Sequence, residues 1–261
     1  MPTADEQIKL NAGLIAAVEA RQADAVEALL EAGADANAWR INDRTLLLKA
    51  IETDDAKIVR LVAARTQYLD VTDAADFAPI THAVRHKRAA AAHALLDAGA
   101  NPFPPGKGAD FALDWAVGNK MYDVITRMLT ASGWPDRLYK DEPLIAYAAR
   151  ENDLDLAKAC IAAGVNVNRG ERAHGYTALH VAAGNGSADF IRLLLDNGAR
   201  LDVTANGTQT PLDWAGDDNT LRLIVVERDM REAARAMTEG ISGALAINPP
   251  VRLKKSPGAA P

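Results

Sequence analysis

The feature that most constrains this chain is an internal period. Residues 177–183 read TALHVAA, and residues 210–216, 33 positions later, read TPLDWAG. Between them, Phe190, Leu193 and Leu194 recur at helical spacing, and Gly198 stands where the second helix should end. Two short helices cannot bury their apolar faces alone, so the period predicts a stack of neighbours that share one core.

The same residues resemble an ankyrin repeat. Its T-P-L-H-x-A pattern stands here as Thr177-Ala-Leu-His-Val-Ala and as Thr210-Pro-Leu-Asp-Trp-Ala. The resemblance implies an antiparallel helix pair in each copy and a hairpin loop that projects between copies. We therefore predict an all-α fold, an ankyrin-type α-solenoid of helix-turn-helix repeats with projecting hairpin loops.

Seven copies follow from this period, and the first, from Ala12, is expected to act as an N-terminal cap. The fifth copy can be placed in two registers one residue apart, and we prefer the one that begins at Pro143. Thr66 stands where other copies have a stop glycine, so that helix end is expected to be irregular or strained. The predicted boundaries are 12–44, 45–77, 78–110, 111–142, 143–176, 177–209 and 210–239 for a C-terminal cap, followed by a disordered Pro/Gly/Lys tail at 240–261.

Composition narrows the class of protein. The chain is 49% hydrophobic and 25% charged with a net charge of −6, which is typical of a soluble globular protein and argues against a general nucleic-acid binder. The single cysteine, Cys160, excludes a disulfide framework and lies in an apolar run, where an inert buried thiol is expected. The start shows no signal peptide, and no apolar run could span a membrane. We predict a cytoplasmic monomer without cofactor or metal; its alanine-rich composition suggests a bacterial source.

The partner-binding residues should lie where the repeat pattern leaves side chains free. By resemblance, these places are the loop tips and the concave side of the first helices. The position after the His slot forms a column that holds Ala16, Lys49, His82, Trp115, Tyr147, Val181 and Trp214. Three aromatic residues in one column suggest binding anchors, although rings there can also shield neighbouring helices. With the loop tips, the predicted partner-binding set is Trp39, Arg40, Arg44, Lys49, His82, Trp115, Tyr147, Arg172, Tyr176 and Trp214.

Several histidines and basic residues are of types that can bind anions or metals. The run Arg85-His86-Lys87-Arg88 is either a solvated turn or a patch for phosphate or an acidic partner. His82 and His86 have the spacing of two zinc ligands, but their cationic neighbours and the missing glutamate of H-E-x-x-H argue against a metal. His180 fills the family's buried His slot and should be structural, whereas His93 is expected to face solvent or the groove.

We therefore predict a non-catalytic protein–protein interaction scaffold with Trp115, Tyr147 and Trp214 as anchors. The alternatives are a secreted bacterial effector delivered to a host cell, a regulatory or inhibitory subunit of an enzyme, or an enzyme that uses Asp114 and Asp213. The enzyme alternative is disfavoured, because repeats take up nearly all of the chain and leave no residues for a catalytic domain. A further alternative places the basic tail around Arg252 in the groove of its own chain.

Overall fold

The computed structural model describes residues 2–41, 44–104 and 111–247. Its chain folds into successive helix pairs with short hairpins between some of them. The helices are α1 Ala4–Glu19, α2 Ala23–Glu31, α3 Leu46–Thr53, α4 Ala56–Ala63, α5 Pro79–Arg85, α6 Ala89–Asp97, α7 Phe111–Gly118, α8 Tyr122–Ala131, α9 Leu144–Arg150, α10 Leu154–Ala162, α11 Ala178–Gly184, α12 Ala188–Asp196 and α13 Asp218–Ile247. The strands β1 Arg40–Ile41 and β2 Arg44–Thr45 form one antiparallel hairpin, and β3 Leu138–Tyr139 and β4 Glu142–Pro143 form another.

The turns inside the helix pairs repeat one backbone conformation. A left-handed residue follows each first helix and reverses the chain within a few positions, which sets the second helix antiparallel to the first. Glycine meets this requirement without strain in repeat six, and side-chain-bearing residues adopt it elsewhere. The residues with positive φ at this turn are Arg21, Asp54, Lys87, Lys120, Asn152 and Gly186.

Stacking of the pairs builds one continuous core. First helices pack on first helices, as α3 does on α5, and second helices pack on second helices, as α4 does on α6. Buried alanines allow this close approach because their side chains are small. They stand one position after the predicted column in successive first helices. They are Ala17, Ala50, Ala83, Ala116, Ala148 and Ala182. The predicted all-α solenoid of helix-turn-helix repeats is confirmed.

The two ends depart from the predicted repeat. α1 begins at Ala4, well before Ala12, because Thr3 and Glu6 form a reciprocal capping box there. In copy seven the first helix is a single 3₁₀ turn, Pro211–Trp214. α13 continues to Ile247, so the predicted helix end near Glu239 and the tail from residue 240 were placed too early. Residues 248–261, with the basic tail around Arg252, lie outside the described residues.

Two predictions about single positions are resolved. α9 follows Pro143 at its N-cap, which confirms the preferred register of copy five. α4 ends at Ala63, and Thr66 is not among the residues of positive φ, so the expected strain there was wrong. The Thr66 hydroxyl donates to Asn37 Oδ1 at 3.1 Å and accepts from the Tyr68 N–H, which fixes the chain without a glycine. None of the helices in the described ranges is both long and apolar enough to cross a membrane.

Candidate functional site

A cleft opens between α7 and α9, which approach each other less closely than other neighbouring first helices do. Tyr139 of β3 bridges them: its hydroxyl donates to Asp114 Oδ1 at 2.7 Å, and its ring meets that of Tyr147 edge-on at 4.9 Å. The Tyr139 side chain is 1% exposed, so it acts as a buried wedge. The result is an open cleft of about 450 Å³.

The β3–β4 hairpin explains how Tyr139 reaches this position. Lys140 and Asp141 both have positive φ, the combination of a type I′ turn that suits a two-residue hairpin. The turn leaves Lys140 at the rim, where its ammonium lies 4.8 Å from the Tyr139 ring centroid and 5.4 Å from that of Tyr147. Asp114 Oδ1 is 3.7 Å from the same ammonium. The hairpin therefore supplies both the buried wedge and a cation at the rim.

The walls of this cleft expose aromatic surface. Phe111 is 40% exposed and Trp115 is 37% exposed on α7, and the half-buried Tyr147 faces them from α9. Exposed rings beside a concavity are the side chains that most often anchor a protein partner. We call the surface lined by Phe111, Asp114, Trp115, Tyr139, Lys140 and Tyr147 the aromatic cleft.

Cations surround the aromatic cleft. The Arg85 guanidinium carbon lies 5.7 Å from the Trp115 ring centroid and 5.1 Å from that of Phe77. Arg150 lies 5.1 Å from the Tyr147 ring and forms an ion pair of 2.8 Å with Glu142. Guanidinium groups that rest on ring faces are held by cation–π attraction, so their positive charge is fixed beside the exposed rings.

A second aromatic group lies at the C-terminal end of the array. The Trp214 ring is 4.4 Å from the Tyr176 ring and meets His180 edge-on at 6.1 Å. The Tyr176 hydroxyl accepts a hydrogen bond of 2.6 Å from the side-chain amide of Asn206. Because Trp214 and Tyr176 are both half-buried against each other, this group exposes less ring surface than the aromatic cleft.

His180 is structural, as its slot predicts. It is fully buried, and its Nδ1 accepts from the Thr177 N–H at 3.2 Å. The proton must then be on Nε2, which donates to the Gln209 carbonyl at 3.0 Å. Burial lowers the pKa of His180 below its usual value, so the ring is held neutral.

At the N-terminal end, the side chains of several predicted binding residues already contact other side chains of the chain. The Lys49 ammonium lies 2.6 Å from Glu19 Oε1 and 5.3 Å from the Trp39 ring, and Arg44 pairs with Glu52. A cleft of about 510 Å³ joins copies two and three, lined by Arg44, Leu48, Ile51, Glu52, Asp73, His82, His86 and Arg88.

His82 and the basic run also make specific contacts. His82 Nε2 lies 2.9 Å from Asp73 Oδ2, and its ring stacks on that of His86. Arg88 donates to the backbone carbonyls of Ile51 and Glu52, which ties copy three to the end of α3. The interpretation of the basic run as a merely solvated turn was therefore incomplete.

The structure brings some of the predicted residues together and leaves others apart. Trp115 and Tyr147 share the aromatic cleft, Tyr176 touches Trp214, and Arg44 lines a cleft with His82. Arg172 is exposed on the loop before α11. The Arg40 side chain and the loop-tip residues Asp43, Lys107 and Asp110 lie outside what the structure describes.

Sequence reasoning missed three members of the aromatic cleft. Tyr139, Phe111 and Lys140 were not assigned to it, because Phe111 was taken as a helix start and the other two fell where the period falters. The available signal was the shortened spacing itself: Trp115 to Tyr147 spans 32 residues instead of 33. His93, expected to face solvent or groove, lies 2.9 Å from Asp123 at the start of α8 and keeps 36% of its side chain exposed.

The residues considered for catalysis or metal binding have other partners. Asp114 accepts from Tyr139, and Asp213 accepts from the Thr210 backbone N–H and hydroxyl, both at 2.7 Å, as a helix cap. Burial raises the pKa of the Cys160 thiol to about 12, which keeps it protonated and unreactive. Across the described ranges, no group of three or more His, Cys, Asp or Glu side chains is arranged to hold a metal ion.

Comparison with known proteins identifies similar chains. A family model described as ankyrin repeats (3 copies) matches residues 14–105, 113–206 and 145–231. The potassium channel AKT2/3 of Arabidopsis thaliana is 28% identical over 189 residues, which are 71% of this chain and 22% of the channel. The palmitoyltransferase ZDHHC17 of Danio rerio is 33% identical over 91 residues, 35% of this chain and 15% of the enzyme. The chain thus spans less than a quarter of these relatives.

Solved structures show the same architecture. The ankyrin repeat domain of Bcl-3, a member of the IkappaB family, has a TM-score of 0.60 at 23% identity and covers 81% of this chain and 97% of its own. The human ASB11 ankyrin repeat domain has a TM-score of 0.51 at 20% identity, over 82% and 96% of the two chains. At these identities the likeness establishes the fold. Repeats of this kind are generally protein–protein interaction modules, and no catalytic family is indicated.

Proposed function

Because the chain belongs to the ankyrin repeat family, we propose that it is a non-catalytic module that binds a protein partner through the aromatic cleft and the adjoining hairpin loops. The observation that supports this proposal is the pairing of Trp115 and Tyr147. These rings come from consecutive copies and line one open cleft of about 450 Å³. Elsewhere in the column, the side chains of Lys49 and His82 are already engaged by carboxylates.

Burial of these rings supplies the affinity in this proposal. Aromatic side chains that become fully covered at the centre of an interface dominate binding energy, with losses of about 2 kcal/mol or more on truncation. A partner can still bury part of Trp115, because over a third of its surface is exposed to solvent. Tyr139 supports the arrangement from below, because its ring and hydroxyl hold Tyr147 and Asp114 in place.

The surrounding cations orient the partner. Arg85, Lys140 and Arg150 rest on the cleft's aromatic rings or on Phe77, and they present positive charge at the rim. Complementary charge on a partner accelerates association and selects its orientation more than it adds affinity. The C-terminal group of Tyr176 and Trp214, with Arg172 on the loop before it, is the second contact area in this proposal.

A comparative capture experiment tests this proposal. The full chain serves as bait in lysate of its source organism, beside a Trp115→Ala/Tyr147→Ala variant and a Trp134→Ala control. Trp134 is 62% exposed and lines a different depression with Phe103 and Arg137, so the control removes an exposed tryptophan outside the cleft. We expect partners retained by the wild type and by the control to be lost by the cleft variant. Equal capture by all three, with matching circular dichroism spectra, would contradict the proposal.

A further inference from the structure

The last helix carries an apolar face that the repeats cover only at its start. Leu223, Val226, Met230, Ala233 and Met237 follow one another at alternating spacings of three and four residues on α13. Val226 is 57% exposed, Met230 62% and Met237 71%. We call these five residues the apolar stripe.

A different face of α13 holds the helix against the array. Thr220 and Ile224 are each 1% exposed, and Arg231 donates to the carbonyls of Ala199 at 2.7 Å and Leu195 at 2.9 Å. At 100° per residue, these positions lie on average about a third of a turn from the apolar stripe. Leu223, at the start of the apolar stripe, packs against the core, whereas Val226, Met230 and Met237 remain mostly exposed.

Charged residues lie behind the apolar stripe. Arg228, Glu232 and Arg235 are exposed and project from the side of the helix opposite to it. A solenoid needs a polar outer face at its end, and these charged residues contribute to one. Beyond Arg231 the side chains through Thr238 are exposed, so this part of the helix lacks the tertiary packing that stabilises most helices.

The spacing points to a helix as the covering element. Apolar residues that recur every 3.5 positions on average form the seam between two helices wound around each other. Seen as such a seam, the apolar stripe occupies the a and d positions. Arg222 then stands at a flanking g position and Glu227 at the next e position, five residues later.

This charge order favours a second copy of the chain in parallel orientation. In a parallel pair, each g residue faces the e residue five positions on in the other helix, so Arg222 meets Glu227 of the other copy twice by symmetry. The following pair combines Asp229 with Ala234, which sets no like charges against each other. Glu227 is held in position by Arg231, whose Nε lies 2.6 Å from Glu227 Oε1.

We propose that the chain forms a parallel two-fold homodimer through the apolar stripes of two α13 helices. This arrangement replaces the monomer expected from the sequence. It is independent of partner binding, because the aromatic cleft lies on α7 and α9 and remains open in the dimer's two arrays.

Sedimentation equilibrium of the full chain provides the first test. We expect a concentration-dependent rise from 27.8 kDa toward twice that mass. A Met230→Glu/Met237→Glu variant should raise the dissociation constant of the dimer at least about tenfold, because each new carboxylate would be buried without a partner. Leu221→Glu is the matched control: Leu221 is 41% exposed on the same helix but lies off the stripe, and its dimer should persist. Circular dichroism checks that each variant stays helical.

Cross-linking tests the orientation. Met237 faces its own counterpart only in a parallel pair, so a Met237→Cys chain should form a disulfide-linked dimer on mild oxidation. The native Cys160 is buried and does not compete. A single-chain mass up to about 1 mM would overturn the proposal. So would a dimer that survives the double substitution, and a dimer without the cross-link would overturn the parallel arrangement.

Discussion

Replacement of His180 by phenylalanine should destabilise the array strongly, although it exchanges one aromatic ring for another. Phenylalanine keeps a planar ring at this position, so the aromatic contacts with Tyr176 and Trp214 are largely kept. The substitution removes Nδ1, which faces the Thr177 N–H and hydroxyl, and Nε2, which donates to Gln209. The perturbation is therefore mainly to hydrogen bonding.

The magnitude follows from which groups water can reach. Thr177 is 1% exposed, so its N–H and hydroxyl lose their partner without gaining water, and a buried group left unsatisfied costs about 1–3 kcal/mol. Gln209 is exposed, so its carbonyl can bind water instead and contributes less. We expect the free energy of unfolding to fall by about 2–4 kcal/mol.

Urea unfolding followed by circular dichroism measures this loss, and pH adds an internal check. Folded His180 is neutral, whereas in the unfolded chain it takes a proton below the usual pKa of 6.5. The unfolded state then binds more protons, so the wild type loses stability as pH falls through this value. The phenylalanine variant lacks this loss, and the gap between the two proteins should narrow below that pH.

Asp213→Ala is the matched control for His180→Phe. Asp213 fills the same slot in copy seven and caps Thr210, but it is exposed, so its loss should cost about 1 kcal/mol or less. Equal losses of stability for both substitutions, or a His180→Phe gap that did not change with pH, would contradict a hydrogen-bonding role for His180.

Two further predictions concern the thiol and the helix turn. Cys160 should not react with a thiol reagent at neutral pH in the folded protein and should react fully in urea, because burial raises its pKa to about 12; reaction of the native chain would show that α10 opens. Lys120→Gly should raise the urea midpoint by stabilising the fold by about 0.5 kcal/mol, since Lys120 is left-handed at the turn that Gly186 occupies in repeat six; a lower midpoint would contradict the strain argument.

The scaffold was predictable because independent local signals coincide with the period. Thr177 starts a helix as its N-cap, and Gly198, with positive φ, follows the end of the next helix, as the pattern indicated. Tyr147 fell in the right register although its copy matches the pattern poorly. Each of these features is determined within one repeat, where caps, turns and apolar spacing act over a few residues.

Contacts that cross between repeats were not predictable in the same way. Arg88 binds carbonyls at the end of α3. Arg85 rests on Phe77 of the preceding copy and on Trp115 of the next one. A long basic side chain has many possible destinations, and the sequence does not fix which one it takes. The burial of Tyr139 was not predicted for a related reason. A two-residue strand is too short to show the apolar pattern that would indicate which of its side chains is buried.

The column of seven equivalent positions shows how a binding site arises in a regular array. In the same slot, Lys49 pairs with Glu19, His82 with Asp73, and Trp214 leans on Tyr176. Trp115 and Tyr147 differ because the period shortens by one residue between them, and the hairpin there drives Tyr139 between the two helices. The most open ring surface in the column therefore coincides with the interruption of the repeat. A substitution that removes the wedge, such as Tyr139→Ala, should accordingly affect partner capture through Tyr147 and Asp114 even though Tyr139 itself is buried.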